Sequence, residues 1–167
     1  MRSIVFVVLF IGLLPAVSYG KEEARGGDLV DGVGVEALPH ELRVLLAEEM
    51  RALQQGMVSI IPAYLSGEWD EVATIAGKME RSYILKQRLT KEQAKVLKRV
   101  LPRAFIQRDQ QFHYLAGMLE HVAKNRKPEL INFYFSEINA ACVECHTAHA
   151  THRFPALKQK EVEAHSH

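Results

Sequence analysis

The chain has 167 residues, with 21 Lys or Arg, 20 Asp or Glu, 8 His and a formal net charge of +1. Charges of both signs are interspersed, which excludes the basic stripe of a nucleic-acid binder and the acidic block of a disordered tail. The length suits one domain with a buried core, and 2 cysteines exclude a disulfide-built scaffold.

Residues 1–20 combine Arg2, an apolar run over residues 4–14 and the break Pro15-Ala16-Val17-Ser18-Tyr19-Gly20. A basic start, a short apolar stretch and small residues near the break have the form of a secretory signal peptide. The run is too short for a comfortable membrane span, so no stable membrane insertion is expected after cleavage; an uncleaved anchor is the alternative. Cleavage after Gly20, or after Ser18, leaves roughly 147 residues close to neutrality. Residues 21–37, with Gly26-Gly27 and Gly32-Val33-Gly34, read as a flexible lead-in. Residues 38–155 read as one helical domain, and residues 156–167, with His165 and His167, as a polar tail.

From Pro39 onward Leu42, Leu46, Met50, Leu53, Met57, Ile60 and Tyr64 recur at three- and four-residue steps, the stripe of a long amphipathic helix. Pro62 should kink or end it, and Ser66-Gly67 makes a turn. Trp69, Val72, Ala76, Met79 and Tyr83 form a second stripe. Thr90-Lys91-Glu92-Gln93 has the form of a capping box opening a short helix. A further helix begins near Pro102 and carries Phe105, Asp109, Phe112, Ala116 and Leu119 on one face. After Asn125-Arg126-Lys127-Pro128, a last helix carries Ile131, Phe135, Ile138, Cys142, Cys145 and His149. Four main helices with short connections predict an all-α antiparallel four-helix bundle.

Both cysteines fall in one phrase on that last helix, Cys142-Val143-Glu144-Cys145-His146. Cys-x-x-Cys-His is the attachment signature of c-type haem. Two thiols three residues apart add to the two vinyl groups of one haem, and the adjacent histidine offers a nitrogen to the iron. Positions i, i+3 and i+4 share a helix face. Three other uses of the pair compete. A thioredoxin-like redox pair belongs after a strand, and no strand alternation precedes Cys142. A zinc site needs four ligands, so His149 would have to join Cys142, Cys145 and His146. A disulfide leaves His146 without a role. Haem attachment outside the bacterial cytoplasm agrees with the leader.

The layout resembles the class II c-type cytochromes, the cytochrome c′ family and its methionine-ligated, low-spin relatives, over residues 39–154. Only the haem motif is specific. The resemblance implies one covalent haem c per chain, held by Cys142 and Cys145 on the C-terminal helix, with His146 as proximal iron ligand. It places the sixth ligand on the first helix, where Met50-Arg51-Ala52-Leu53-Gln54-Gln55-Gly56-Met57 is similar to the methionine-ligated branch and points to Met50, with Met57 as alternative. Methionines at helical spacing are also common core residues. An alignment anchored on Arg43 puts Ala47 over the iron and leaves it open. His113 is a further possible sixth ligand. Where the family commonly carries a Tyr-Arg pair beyond the haem histidine, this chain has His149-Ala150; Arg153 lies further on, as a haem-propionate partner or an end-of-helix cation.

The expected function is periplasmic electron transfer with a protein donor and a protein acceptor. The alternative is a five-coordinate haem that binds nitric oxide or carbon monoxide. No enzymatic turnover is expected, because the first helix offers Glu48 and Glu49 but no histidine–arginine pair. Ile60, Ile61 and Trp69 would permit a homodimer.

Overall fold

A computed structural model describes residues 34–158; the expected signal peptide, most of the lead-in and the end of the tail, including His165 and His167, lie outside them. The described chain is all-α, with six helices: α1 His40–Leu65, α2 Trp69–Glu80, α3 Leu85–Arg88, α4 Lys91–Val100, α5 Arg103–Lys124 and α6 Pro128–His149. Short 3-10 turns, Val35–Ala37 and Pro155–Leu157, flank them.

Prolines and turn residues set most of these bounds. Pro39 and Pro102 stand at the N-caps of α1 and α5, and Pro128 occupies the first turn of α6, where a missing N–H costs nothing. Pro62 does not end α1. The helix runs one further turn to Leu65 and stops at Ser66, followed by Gly67 at φ +71°. Pro62 lies on the exposed side, where water can serve the carbonyl it leaves without a donor. Thr90 forms the expected capping box, with its hydroxyl accepting the Gln93 N–H at 3.2 Å and the Gln93 side chain accepting the Thr90 N–H at 3.0 Å. Such a cap contributes about 1 kcal/mol, which matters because no residue of α4 is fully buried.

Three helix pairs run antiparallel. Gly56 of α1 faces Met79 of α2 across the 66–68 turn; Gly77 and Gly117 place α2 against α5 through Glu120 and Glu80; Arg108 of α5 meets Glu144 of α6. The principal core draws Leu53, Ile60 and Ala63 from α1, five side chains from α2 including Val72 and Met79, six from α5 including Leu119, and Ile131 and Ile138 from α6. A second cluster gathers Leu38, Leu42, Leu46 and Leu101, with α3, α4 and the start of α5 packed around it. It closes the end of the molecule where α1 begins and α6 finishes.

The α1 stripe is rotated from the one expected. Glu49 and Gly56 take inward positions, while Met50 is 37 % exposed and Met57 is half-buried. Two side-chain-specific contacts cause this. A Cβ at Gly56 would stand 2.8 Å from Tyr83 Oη and 3.2 Å from Met79 Sδ, so the close α1–α2 approach requires glycine. Glu49 is drawn in by donors that a stripe of apolar residues does not reveal. Of the three residues expected on a dimer face, Ile60 is buried, Trp69 packs edge-on against Tyr64 at 5.7 Å, and only Ile61 is largely exposed.

Candidate functional site

The Cys142–His146 phrase occupies the last two turns of α6. Both thiols are free and half-buried. Burial pushes the Cys142 thiol above its ordinary range. Cys145 is raised by burial too, opposed by the Arg108 guanidinium and reinforced by Asp109 and Cys142. Protonated thiols in an apolar setting are unlike the lowered, thiolate-forming pair of a dithiol oxidoreductase. Burial lowers the pKa of His146, which keeps its imidazole neutral with a lone pair free to ligate.

The chain folds back over His146. Phe154 and Arg153 donate their N–H groups to the Ala150 carbonyl, and the Phe154 ring stacks on the His146 ring at 4.6 Å with planes 20° apart. This brace orients the imidazole. Phe154 sits eight residues beyond His146 across a break in the helix, so no periodicity links the two. Arg153 is exposed.

The α1 side of the site follows from one contact. Tyr64 Oη donates to the Pro128 carbonyl at 3.4 Å, joining the end of α1 to the start of α6. Met50 lies fourteen residues before Tyr64, and Cys142 lies fourteen after Pro128. At 1.5 Å rise per residue both stand about 21 Å from that contact. Because α1 and α6 run in opposite directions, this counting sets Met50 and Cys142 at one level for straight, aligned helices. Met50, Met57 and Tyr64 repeat every seven residues and so occupy nearly one line on α1. Met57 packs against the principal core, whereas Met50 belongs to neither apolar cluster among the described residues.

His113 does not face this site. Its Nδ1 lies 2.9 Å from the Met79 carbonyl of α2 and its Nε2 lies 3.5 Å from Asp109 one turn earlier on α5, so one nitrogen serves the α2–α5 contact and the other pairs within α5. The two carboxylates expected near the sixth position are also engaged. Glu48 pairs with Arg88 at 2.7 Å, and Glu49 is buried under four donors.

On the α5 side, the His149 ring packs edge-on against Phe105 at 5.4 Å. Its Nε2 and the Nε of Arg108 are buried and have no hydrogen-bond partner. Burial and the Arg108 charge together lower the His149 pKa. Two orphaned polar atoms cost roughly 1–3 kcal/mol each when nothing pairs with them, and a polar group supplied from outside the chain would relieve that cost. Beside them a groove of about 270 Å³ runs between α5 and α6, lined by Gln107, Arg108, Gln111 and Glu144 among others. The spacing placed Phe105 on the apolar face of its helix but not against His149, and Arg108, a lone arginine on an amphipathic helix, carries no spacing signal of its own.

Haem fits this residue set. Cys142 and Cys145 would hold it through two carbon–sulfur bonds and His146 would supply an imidazole nitrogen, and its carboxylates would suit the orphaned polar atoms. Among the described residues no three His, Cys, Asp or Glu side chains converge as around a metal ion. Among the described residues no helix is long and apolar enough to cross a membrane. Comparison with known proteins gives no match to a family model, a curated protein or a solved structure.

Proposed function

We propose that the chain is an exported, periplasmic mono-haem c-type cytochrome that carries electrons, similar in kind to the methionine-ligated class II cytochromes. In this reading α1, α2, α5 and α6 form the four-helix bundle, with α3 and α4 as a cap on one end. Cys142 and Cys145 hold haem c covalently through thioethers, His146 ligates the iron, and Met50 supplies the sixth ligand, with Met57 as alternative. Bound there, haem supplies a one-electron ferric–ferrous couple.

The observation that carries it is the conjunction on α6: the full Cys-x-x-Cys-His signature, both thiols free, and the imidazole braced by Phe154. Met50 at the level of Cys142 supports methionine ligation. A thioether ligand raises the potential and fills the coordination sphere, which suits transfer without chemistry. The chain's own part is to hold the imidazole, exclude water with the Leu42–Leu46 cluster and present the site to a protein donor and a protein acceptor. No turnover is proposed, since Glu48 and Glu49 are both occupied elsewhere.

A second reading rests on the 37 % exposure of Met50. If that side chain stays outside, the position over the iron falls to Ala47 and the haem binds nitric oxide or carbon monoxide. The optical spectrum of periplasmically expressed protein separates the two. Low-spin bands with a ferric sulfur-to-iron charge-transfer band and no response to carbon monoxide support electron transfer. A high-spin spectrum that shifts with the gas would reject methionine ligation.

A further inference from the structure

The strongest unexplained feature outside the attachment motif is the pair of orphaned buried atoms, Arg108 Nε and His149 Nε2. They come from α5 and α6, two helices that touch here through Phe105 against His149 and Arg108 against Glu144, and Arg108 lines the α5–α6 groove. Arg108 is only partly engaged. Its Nη1 approaches Glu144 at 3.4 Å, and that carboxylate is 68 % exposed, so the pair sits at the solvent rim and leaves Nε directed elsewhere. Glu144 immediately precedes Cys145, so this contact puts the guanidinium beside the attachment motif. Asp109 follows Arg108 in sequence but is turned to His113 at 3.5 Å.

We propose that Arg108 and His149 form the seat of a haem carboxylate. This rests on the covalent haem proposed above and adds the residues that fix the haem's orientation. The chemistry is specific. A carboxylate has two oxygens with lone pairs to accept both N–H groups, with His149 in its Nε2–H tautomer, and guanidinium is the cation whose planar donors match it. Gln107 and Gln111 line the same groove and offer further amide donors. A cation held there also favours the ferrous state, which carries one positive charge less. Arg108 is thus a positioning residue with an electrostatic effect on the couple.

The test is made on the full, haem-loaded protein with Arg108→Gln, Arg108→Lys and the control Arg103→Gln, an exposed cation on the same helix. Two quantities are read: the reduction potential and the haem propionate-bending band in the resonance Raman spectrum. A unit charge about 10 Å from the iron at an effective dielectric near 20 changes the ferric–ferrous equilibrium by roughly tenfold. Arg108→Gln should therefore shift that equilibrium about tenfold towards ferric and move the propionate band. Arg108→Lys should keep most of the potential yet still move the band, and Arg103→Gln should change neither. Unaltered potential and band in both Arg108 variants, with haem attached, would overturn the seat and leave the cytochrome proposal standing. A wild-type potential that responds to added acetate while the band stays fixed would place a free carboxylate there and overturn it as well. A wild-type chain without covalent haem would end both.

Discussion

The Glu49 carboxylate accepts the Ser82 hydroxyl at 2.8 Å, between residues that are each 2 % exposed. The same carboxylate accepts the backbone N–H groups of Tyr83, Ile84 and Leu85 at 3.1, 2.6 and 3.2 Å. One α1 side chain thereby holds the turn after α2 and caps α3. Ser82 adopts a left-handed φ of 65°, a conformation that costs a non-glycine residue energy, and its buried hydroxyl bond helps to hold it. Removing the acceptor strands four donors. Glu49→Ala should lower stability by roughly 3 kcal/mol. Glu49→Gln, which keeps the shape but turns an amide N–H₂ towards other donors, should cost roughly 1–2 kcal/mol. Denaturant unfolding measures both, and equal, near-zero losses would contradict the clasp.

Two glycines should respond differently to alanine. Alanine gains about 1 kcal/mol of helix propensity over glycine. At Gly56 the new methyl meets Tyr83 Oη at 2.8 Å and the fully buried Met79 at 3.2 and 3.3 Å. Overpacking of that kind costs about 1–3 kcal/mol, so Gly56→Ala should be destabilising by about 1 kcal/mol. At Gly77 the neighbours at 2.8 Å are the ends of the Arg81 and Glu120 side chains, which can swing aside. Gly77→Ala should fall within about 0.5 kcal/mol of wild type. Thermal or denaturant unfolding compares them.

His113 makes a pH-dependent contribution of definite sign. Burial acts to lower its pKa, but the Asp109 hydrogen bond and charge and the Met79 carbonyl outweigh burial and the opposing charge of Lys86, so the net pKa lies above 6.5. Raised in the folded state, it stabilises fully below pH 6.5 and loses that contribution as pH rises through the folded value. An NMR titration of the His113 ring should show the raised value. Asp109→Asn should lower it and flatten this part of the stability profile.

Under the proposed function Met50 serves the cofactor and Met57 the core. Met57 packs on the principal cluster and Met50 does not. Met57→Ala should cost roughly 1–2 kcal/mol and leave the haem spectrum unchanged. Met50→Ala should cost under about 0.5 kcal/mol and convert a low-spin spectrum to high-spin. The reverse pattern would transfer the ligand role to Met57.

The helical scaffold was legible because its punctuation is local. Pro39, Ser66-Gly67, the Thr90–Gln93 box, Pro102 and Pro128 each act within a turn of themselves, and the attachment motif is contiguous. What escaped depends on partners distant in sequence. Glu49 points inward because the Ser82–Leu85 turn offers it donors 33 to 36 residues away, and apolar counting naturally put Met50 there instead. Helix α3, with four residues, depends on that same carboxylate and has no stripe to announce it. Phe154 finds His146 through a reversal after Ala150, and Arg108 acquires meaning only through its proximity to Cys145 and His149.

The most direct measurement is the intact mass and haem stain of the denatured protein after periplasmic expression in a host that attaches haem to thiols. The account predicts a cleaved chain carrying one haem that resists acid–acetone extraction and disappears in Cys142→Ala/Cys145→Ala. A denatured chain at its bare polypeptide mass, with two free thiols or one disulfide, would contradict it.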